Sequence, residues 1–124
     1  THPTRTEETE VSNLISDAMK EQLGVDLMCL GTGSLRNEVL ESIVTLGELR
    51  EMYPYASGVY AIELTGQEIE EMIRFIFKTR FGGGGEEFYA WSKGLSISYN
   101  RSKEEVTSIL YYGKSLEAEK YYKI

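Results

Sequence analysis

The chain has 124 residues, which bounds it to one domain with room for a real core. Hydrophobic residues make up 41% and charged residues 27%, ordinary values for a globular protein. The net charge of −7 excludes a non-specific binder of nucleic acid or of anionic membrane, since both need a basic face, but it leaves room for a local cationic pocket. No apolar stretch approaches the length of a membrane span. The single cysteine, Cys29, excludes an internal disulfide and reads as a small core residue.

Residues 1–6 are polar, contain Pro3 and read as a frayed tail, with His2, the one histidine, solvated in it. Over 7–22, Val11, Leu14, Ile15, Ala18 and Met19 recur at helical spacing, Leu23 extends the stripe, and Gly24 is a stop signal. Glu7, Glu8 and Glu10 crowd the first turn and suit the helix dipole better than a metal. Asn13 and Asp17 form an i, i+4 polar pair, either exposed or turned towards the loop at Gly31.

The stretch 25–36 organises the rest of the chain. Leu27, Met28, Cys29 and Leu30 form a short apolar run, predicting a strand buried on both faces. Gly31 and Gly33 allow a sharp turn and close backbone approach, and Arg36 then offers a charged fork suited to phosphate or carboxylate. Two readings stand here, an anion site and an ordinary strand-to-loop turn with a surface arginine. Gly-x-Gly alone favours the second.

Residues 37–42 read as a brief turn or strand. Thr45 is a capping-box start for a short helix over 46–52, Pro54 ends it, and 53–58 is a loop with two aromatics. Residues 59–64 read as a strand. Thr65 and Glu68 make a second capping box ahead of a helix whose buried stripe is Ile69, Met72, Ile73, Ile76 and Phe77, with Glu70 and Arg74 paired on the wet side. Gly82-Gly83-Gly84-Gly85 lacks the Lys-Ser/Thr of a P-loop and reads as a flexible connection. Strands are predicted over 88–91, 95–99, 106–112 and 120–124, with turns at 92–94, 100–103 and 113–114. Tyr111, Tyr112, Tyr121 and Tyr122 fit aromatic pairs within a sheet. Strands grouped late in the chain indicate α+β, a mixed β-sheet with helices packed on its faces.

Several segments, in order, resemble the C-terminal domain of the 5′-nucleotidases and related metallophosphoesterases. Asn13-Leu14-Ile15-Ser16-Asp17-Ala18 is similar to the family's Asn-Leu-Ile-x-Asp-Ala helix. Gly31-Thr32-Gly33-Ser34-Leu35-Arg36 stands where the family has Asn-Gly-Gly-Gly-Ile-Arg. Thr45-Leu46-Gly47-Glu48-Leu49, Tyr53-Pro54-Tyr55-Ala56-Ser57 and Leu64-Thr65-Gly66 resemble its Thr-x-x-Asp-Leu, Pro-Phe-Gly-Asn and Leu-Thr-Gly steps. Tyr89 to Tyr99 and Gly113 to Tyr122 resemble its closing strands.

The resemblance implies that 1–124 is one substrate-recognition domain, non-catalytic on its own. It implies no cofactor here, and two divalent metal ions in a separate N-terminal metallophosphoesterase domain of the same parent, where they activate water. The expected partners are a nucleotide or nucleoside and that catalytic domain, with no nucleic acid and no membrane span. The expected location is extracytoplasmic (periplasm, cell wall or secreted).

Carried over residue by residue, Arg36 orients the anion, Tyr55 stacks on the base, and Gly33 and Ser34 allow close approach. Gly31 and Ser57 stand where the family has asparagines, and the family's terminal segment with its second aromatic would follow Ile124. These departures leave an alternative, a degenerate structural or protein-interaction domain that binds no nucleotide.

Overall fold

The computed structural model of the chain describes residues 10–31, 46, 59–81 and 89–124. The expected short helix over 46–52 falls outside these residues except for Leu46, which is helical and exposed. The readings of the 1–6 tail, of 37–42, of the 53–58 loop and of the glycine run also fall outside them.

Helix α1 spans Glu10–Leu23 and stops where the Gly24 N–H bonds the carbonyl of Lys20 at 3.0 Å. Its buried face is rotated from the predicted one. Val11, Ser12 and Ser16 are buried, whereas Leu14 is 55% exposed, Leu23 48% exposed, and Ala18 exposed. The two serines face inward because small side chains let the helix lie close to a strand, and the Ser16 hydroxyl stays satisfied by backbone carbonyls.

Strand β1 (Cys29–Gly31) pairs antiparallel with β3 (Tyr89–Trp91), in register Cys29 to Trp91, Leu30 to Ala90 and Gly31 to Tyr89. Of the run predicted as a strand buried on both faces, Leu27, Met28 and Leu30 are buried, whereas Cys29, expected in the core, is half-buried and the strand begins only there. Leu27 belongs to the main core, with Ile69, Ile73, Val106, Ile109, Leu116 and Tyr122. Met28 and Leu30 point the other way, into a second cluster closed by Ile15 and Met19 of α1. The period of two along an extended chain places neighbours on opposite faces, so one short segment joins two apolar layers.

Strand β2 (Glu63–Thr65) pairs antiparallel with β7 (Tyr121–Lys123). The strand expected over 59–64 is shorter and later than predicted. Ile62 and Ile124 exchange both backbone hydrogen bonds at 2.9 Å, the last rung among the described residues, and 59–61 precede the ladder. Strands β4 (Leu95–Asn100), β5 (Glu105–Tyr111) and β6 (Lys114–Ser115) form an antiparallel meander. The class is therefore α+β, and every described pairing is antiparallel, within three small sheets.

Helix α2 (Gly66–Phe81) packs on β5 and β2 with Ile69 and Ile73 fully buried. Its capping box is reciprocal. The Glu68 N–H donates to Thr65 Oγ1 at 3.2 Å, and the Thr65 N–H donates to Glu68 Oε2 at 2.8 Å. The predicted Glu70–Arg74 pair forms at 2.9 Å, and Arg74 also donates to the Val106 carbonyl at 2.8 Å, fastening α2 to β5. The N–H groups of Gly66 and Gln67 donate to the carbonyls of Lys120 and Ala118, so the turn before β7 plugs this helix end.

Tyr111 meets Tyr112 and Tyr122 edge-on, with ring centroids 4.7 and 5.6 Å apart, but neither is the cross-strand pair within one sheet that the sequence suggests, since Tyr112 is its chain neighbour and Tyr122 belongs to the β2–β7 sheet. Burial raises the Tyr111 pKa, opposed by the nearby Lys20 and reinforced by Asp26 and the neighbouring tyrosines.

A Cβ on Gly66 would run into the Glu117 carbonyl and crowd Leu116 Cβ at 3.2 Å. Gly66→Ala should therefore cost about 1–3 kcal/mol in urea unfolding, through overpacking against backbone. Tyr111 holds its proton more tightly when folded, so its contribution is complete below its unfolded pKa of 10.0 and is lost as pH rises through the folded value. Urea midpoints taken from about pH 8 to about pH 11 should fall less steeply for Tyr111→Phe than for the parent chain.

Candidate functional site

Of the residues that the sequence singles out, Gly31 is described. It is the last residue of β1, half-buried and paired with Tyr89. Gly33, Ser34, Arg36, Tyr55 and Ser57 lie outside the described residues. What the structure does provide is the seat of β1, the strand that ends at Gly31.

That seat is a polar seam between α1 and the end of β3. Ser92 is buried and holds Met28 from both sides, its Oγ accepting from the Met28 N–H and its own N–H donating to the Met28 carbonyl, each at 2.9 Å. The Ser16 Oγ donates to the Ser12 carbonyl at 2.8 Å and lies 3.4 Å from the Trp91 carbonyl. Further along α1, Asp17 Oδ1 accepts from the Lys93 N–H. Lys20 then donates to the Lys93 carbonyl at 3.1 Å and to the Tyr112 hydroxyl at 2.7 Å.

Gly94 closes the turn with φ of +108°, and a Cβ there would stand 2.6 Å from the Tyr112 ring. Both backbone groups of Lys93 are thus met by side chains of α1. Asp17 is bound to the 92–94 turn, a partner that the sequence reading, which weighed solvent against the Gly31 loop, did not include. The sequence signal for the seam is the i, i+4 repeat Ser12/Ser16, which hydrophobic periodicity passes over.

A second feature is a half-open hollow of about 410 Å³ between α2 and the β4–β5 turn. Arg74, Phe77 and Lys78 line it from the helix, and Tyr99, Lys103 and Val106 from the hairpin. Glu104 and Glu105 share its rim, so it does not present a field of one sign. Burial and Glu104 raise the Tyr99 pKa, with Arg101 opposing. None of the predicted site residues lines the described part of this hollow.

Among the described residues, no group of three or more His, Cys, Asp or Glu could hold a metal ion, and no helix is long and apolar enough to cross a membrane. The Ser16 and Ser92 hydroxyls are engaged with backbone groups. The arrangement holds α1, β1 and the 92–94 turn together.

Comparison with known proteins points to one family. The sequence profile described as 5′-nucleotidase, C-terminal domain, matches residues 1–124. The trifunctional nucleotide phosphoesterase protein YfkN of Bacillus subtilis is 32% identical over 85 residues, covering 65% of this chain and 6% of that protein. Protein UshA of Yersinia enterocolitica is 20% identical over 120 residues, 97% of this chain and 21% of its own length. A 5′-nucleotidase of Vibrio parahaemolyticus is 22% identical over 119 residues, 96% of this chain and 20% of its own length. The chain therefore spans about a fifth, or less, of the length of these curated relatives.

Removing the Ser92 hydroxyl leaves the buried Met28 N–H without its acceptor. Ser92→Ala should cost about 1–3 kcal/mol in urea unfolding and speed hydrogen exchange at the Met28 amide.

Proposed function

Because this chain belongs to the 5′-nucleotidase C-terminal domain family, we propose that it is the nucleotide-gripping part of a longer phosphoester hydrolase. The observation that carries the reading is the family match over residues 1–124, which includes the Gly31-to-Arg36 stretch. Its described end, Gly31, closes a strand paired with β3 and continuous with the buried Leu27 and Met28, an anchored origin for a ligand loop.

On this reading Arg36 receives the phosphate with charge-assisted hydrogen bonds, and Tyr55 stacks on the base. Gly31, Gly33 and Ser34 let the backbone approach the ligand, and Ser57 supplies a hydroxyl beside the base. Hydrolysis belongs to a separate metallophosphoesterase domain, whose two divalent ions supply an activated water. The described residues of this chain bring together no set of metal ligands, so no hydrolytic step is assigned to them. Nucleotide catabolism outside the cytoplasm is the corresponding setting. The net charge of −7 opposes the approach of a nucleotide, though salt screens that repulsion beyond about 8 Å at physiological ionic strength.

The test is a titration of the full-length protein with AMP, UDP-glucose and 2′,3′-cyclic AMP. Arg36→Ala should weaken the tightest of the three by about 1–3 kcal/mol, on the order of 5- to 150-fold. Unchanged binding in the variant, or no binding by the parent protein, would favour a domain that has kept the fold and lost the ligand.

A further inference from the structure

We propose that the hollow between α2 and the β4–β5 turn holds a zwitterion with an apolar body, the chemistry of a free α-amino acid with an aromatic side chain.

The hollow has a formed apolar floor. Phe77 of α2 and Tyr99 of β4 line it, their ring centroids 5.5 Å apart. Both are half-buried and packed against the main core, so the surface they offer exists before a ligand arrives. The volume of about 410 Å³ lies at the small end of the range for ligand sites and suits a molecule of amino-acid size.

The rim carries charges of both signs that are not consumed by one another. Arg74 is committed, bonding Glu70 at 2.9 Å and the Val106 carbonyl at 2.8 Å. Lys78 and Lys103 then supply two positive charges, and Glu104 and Glu105 two negative ones. All four residues are exposed, and among the described residues no hydrogen bond or ion pair joins these lysines to these glutamates. A polyanion would be drawn by the lysines and repelled by the glutamates, and a polycation the reverse. A molecule with one charge of each sign meets a partner for both. Lys103 and Glu104 are chain neighbours, which suits a ligand whose ammonium and carboxylate share one carbon. Being neutral overall, such a ligand is not repelled by the protein's net charge of −7.

The backbone adds a separate observation. Glu104 has φ of +51°, a left-handed conformation that glycine and asparagine adopt readily and glutamate does not. Strain of this kind gathers at ligand clamps. Here it is carried by one of the two acids that would receive the ammonium group.

The experiment titrates the full-length protein with L-phenylalanine and follows the ligand by NMR. Two analogues each lack one charge, phenylpropionate the ammonium and phenylethylamine the carboxylate. Phenylalanine should saturate with a Kd on the order of 1 mM, as befits a small ligand in a half-open site. Each analogue should bind about fivefold more weakly or worse, the factor that a half-exposed ion pair supplies. Replacing both acids, by Glu104→Asn with Glu105→Gln, should weaken phenylalanine about fivefold and leave phenylpropionate no weaker. Asparagine tolerates the left-handed backbone, so this variant keeps the turn. Lys78→Gln with Lys103→Gln should weaken phenylalanine and phenylpropionate and leave phenylethylamine no weaker. The analogues need no variant, so the proposal stays open to test even if a substitution disturbs the fold. It is overturned if phenylalanine shows no saturation by about 20 mM, if either analogue binds as tightly as phenylalanine, or if both double variants bind phenylalanine as the parent does.

Discussion

The structure depends on one short segment being buried from both sides. Leu27 enters the main core, while Met28 and Leu30 enter the smaller cluster beneath α1. Burying each such side chain is worth about 1.5–3 kcal/mol relative to solvent, so the segment has no exposed alternative to slip towards. Its edges are tied as well. Asp26 and Leu27 donate backbone N–H groups to the Lys123 carbonyl, and Asp26 Oδ2 accepts from the Lys123 N–H at 2.8 Å. The first strand is thereby joined to the last, across most of the chain's length.

The family motifs acquire physical reasons from this frame. Thr65 is the cap of α2, and Gly66 is small because the backbone at Glu117 passes against it. That end of α2 is filled by carbonyls of the turn before β7, so its helix dipole is spent within the fold. The motif around Leu64-Thr65-Gly66 therefore reads as architecture. The motif at Asn13 to Ala18 also has a structural use, since its aspartate binds the 92–94 turn.

The polar seam at Ser16, Asp17, Lys20 and Ser92 fastens α1 to the β1–β3 ribbon and the 92–94 turn with directional bonds. Buried polar groups that are fully satisfied restrict a structure to one arrangement more strictly than apolar contact does. In this protein Ser16 and Ser92 are such groups, set beside the carbonyl of Trp91 and the backbone of Met28.

Local signals determined the parts of the fold whose causes are local. The capping box at Thr65, the stripe through Ile69 and Ile73, the Glu70–Arg74 pair and the stop at Gly24 all depend on residues three or four apart, and each forms as its spacing predicts. The two-sided burial of Leu27, Met28 and Leu30 was legible because an apolar run too short for a helix has few other uses. Of the candidate site, the sequence by itself supplied the place of Gly31 at a strand end, and Arg36 and Tyr55 through family resemblance. The face of α1 was decided by tertiary structure, because the helix packs its buried Ser12 and Ser16 side against the β1–β3 ribbon, which brings a backbone carbonyl 75 positions along the chain to 3.4 Å from the Ser16 hydroxyl. The partner of Asp17 lies 76 positions along the chain and that of Lys20 lies 92. A directional bond between groups that far apart leaves no periodic trace in the sequence, so only the assembled fold could make it.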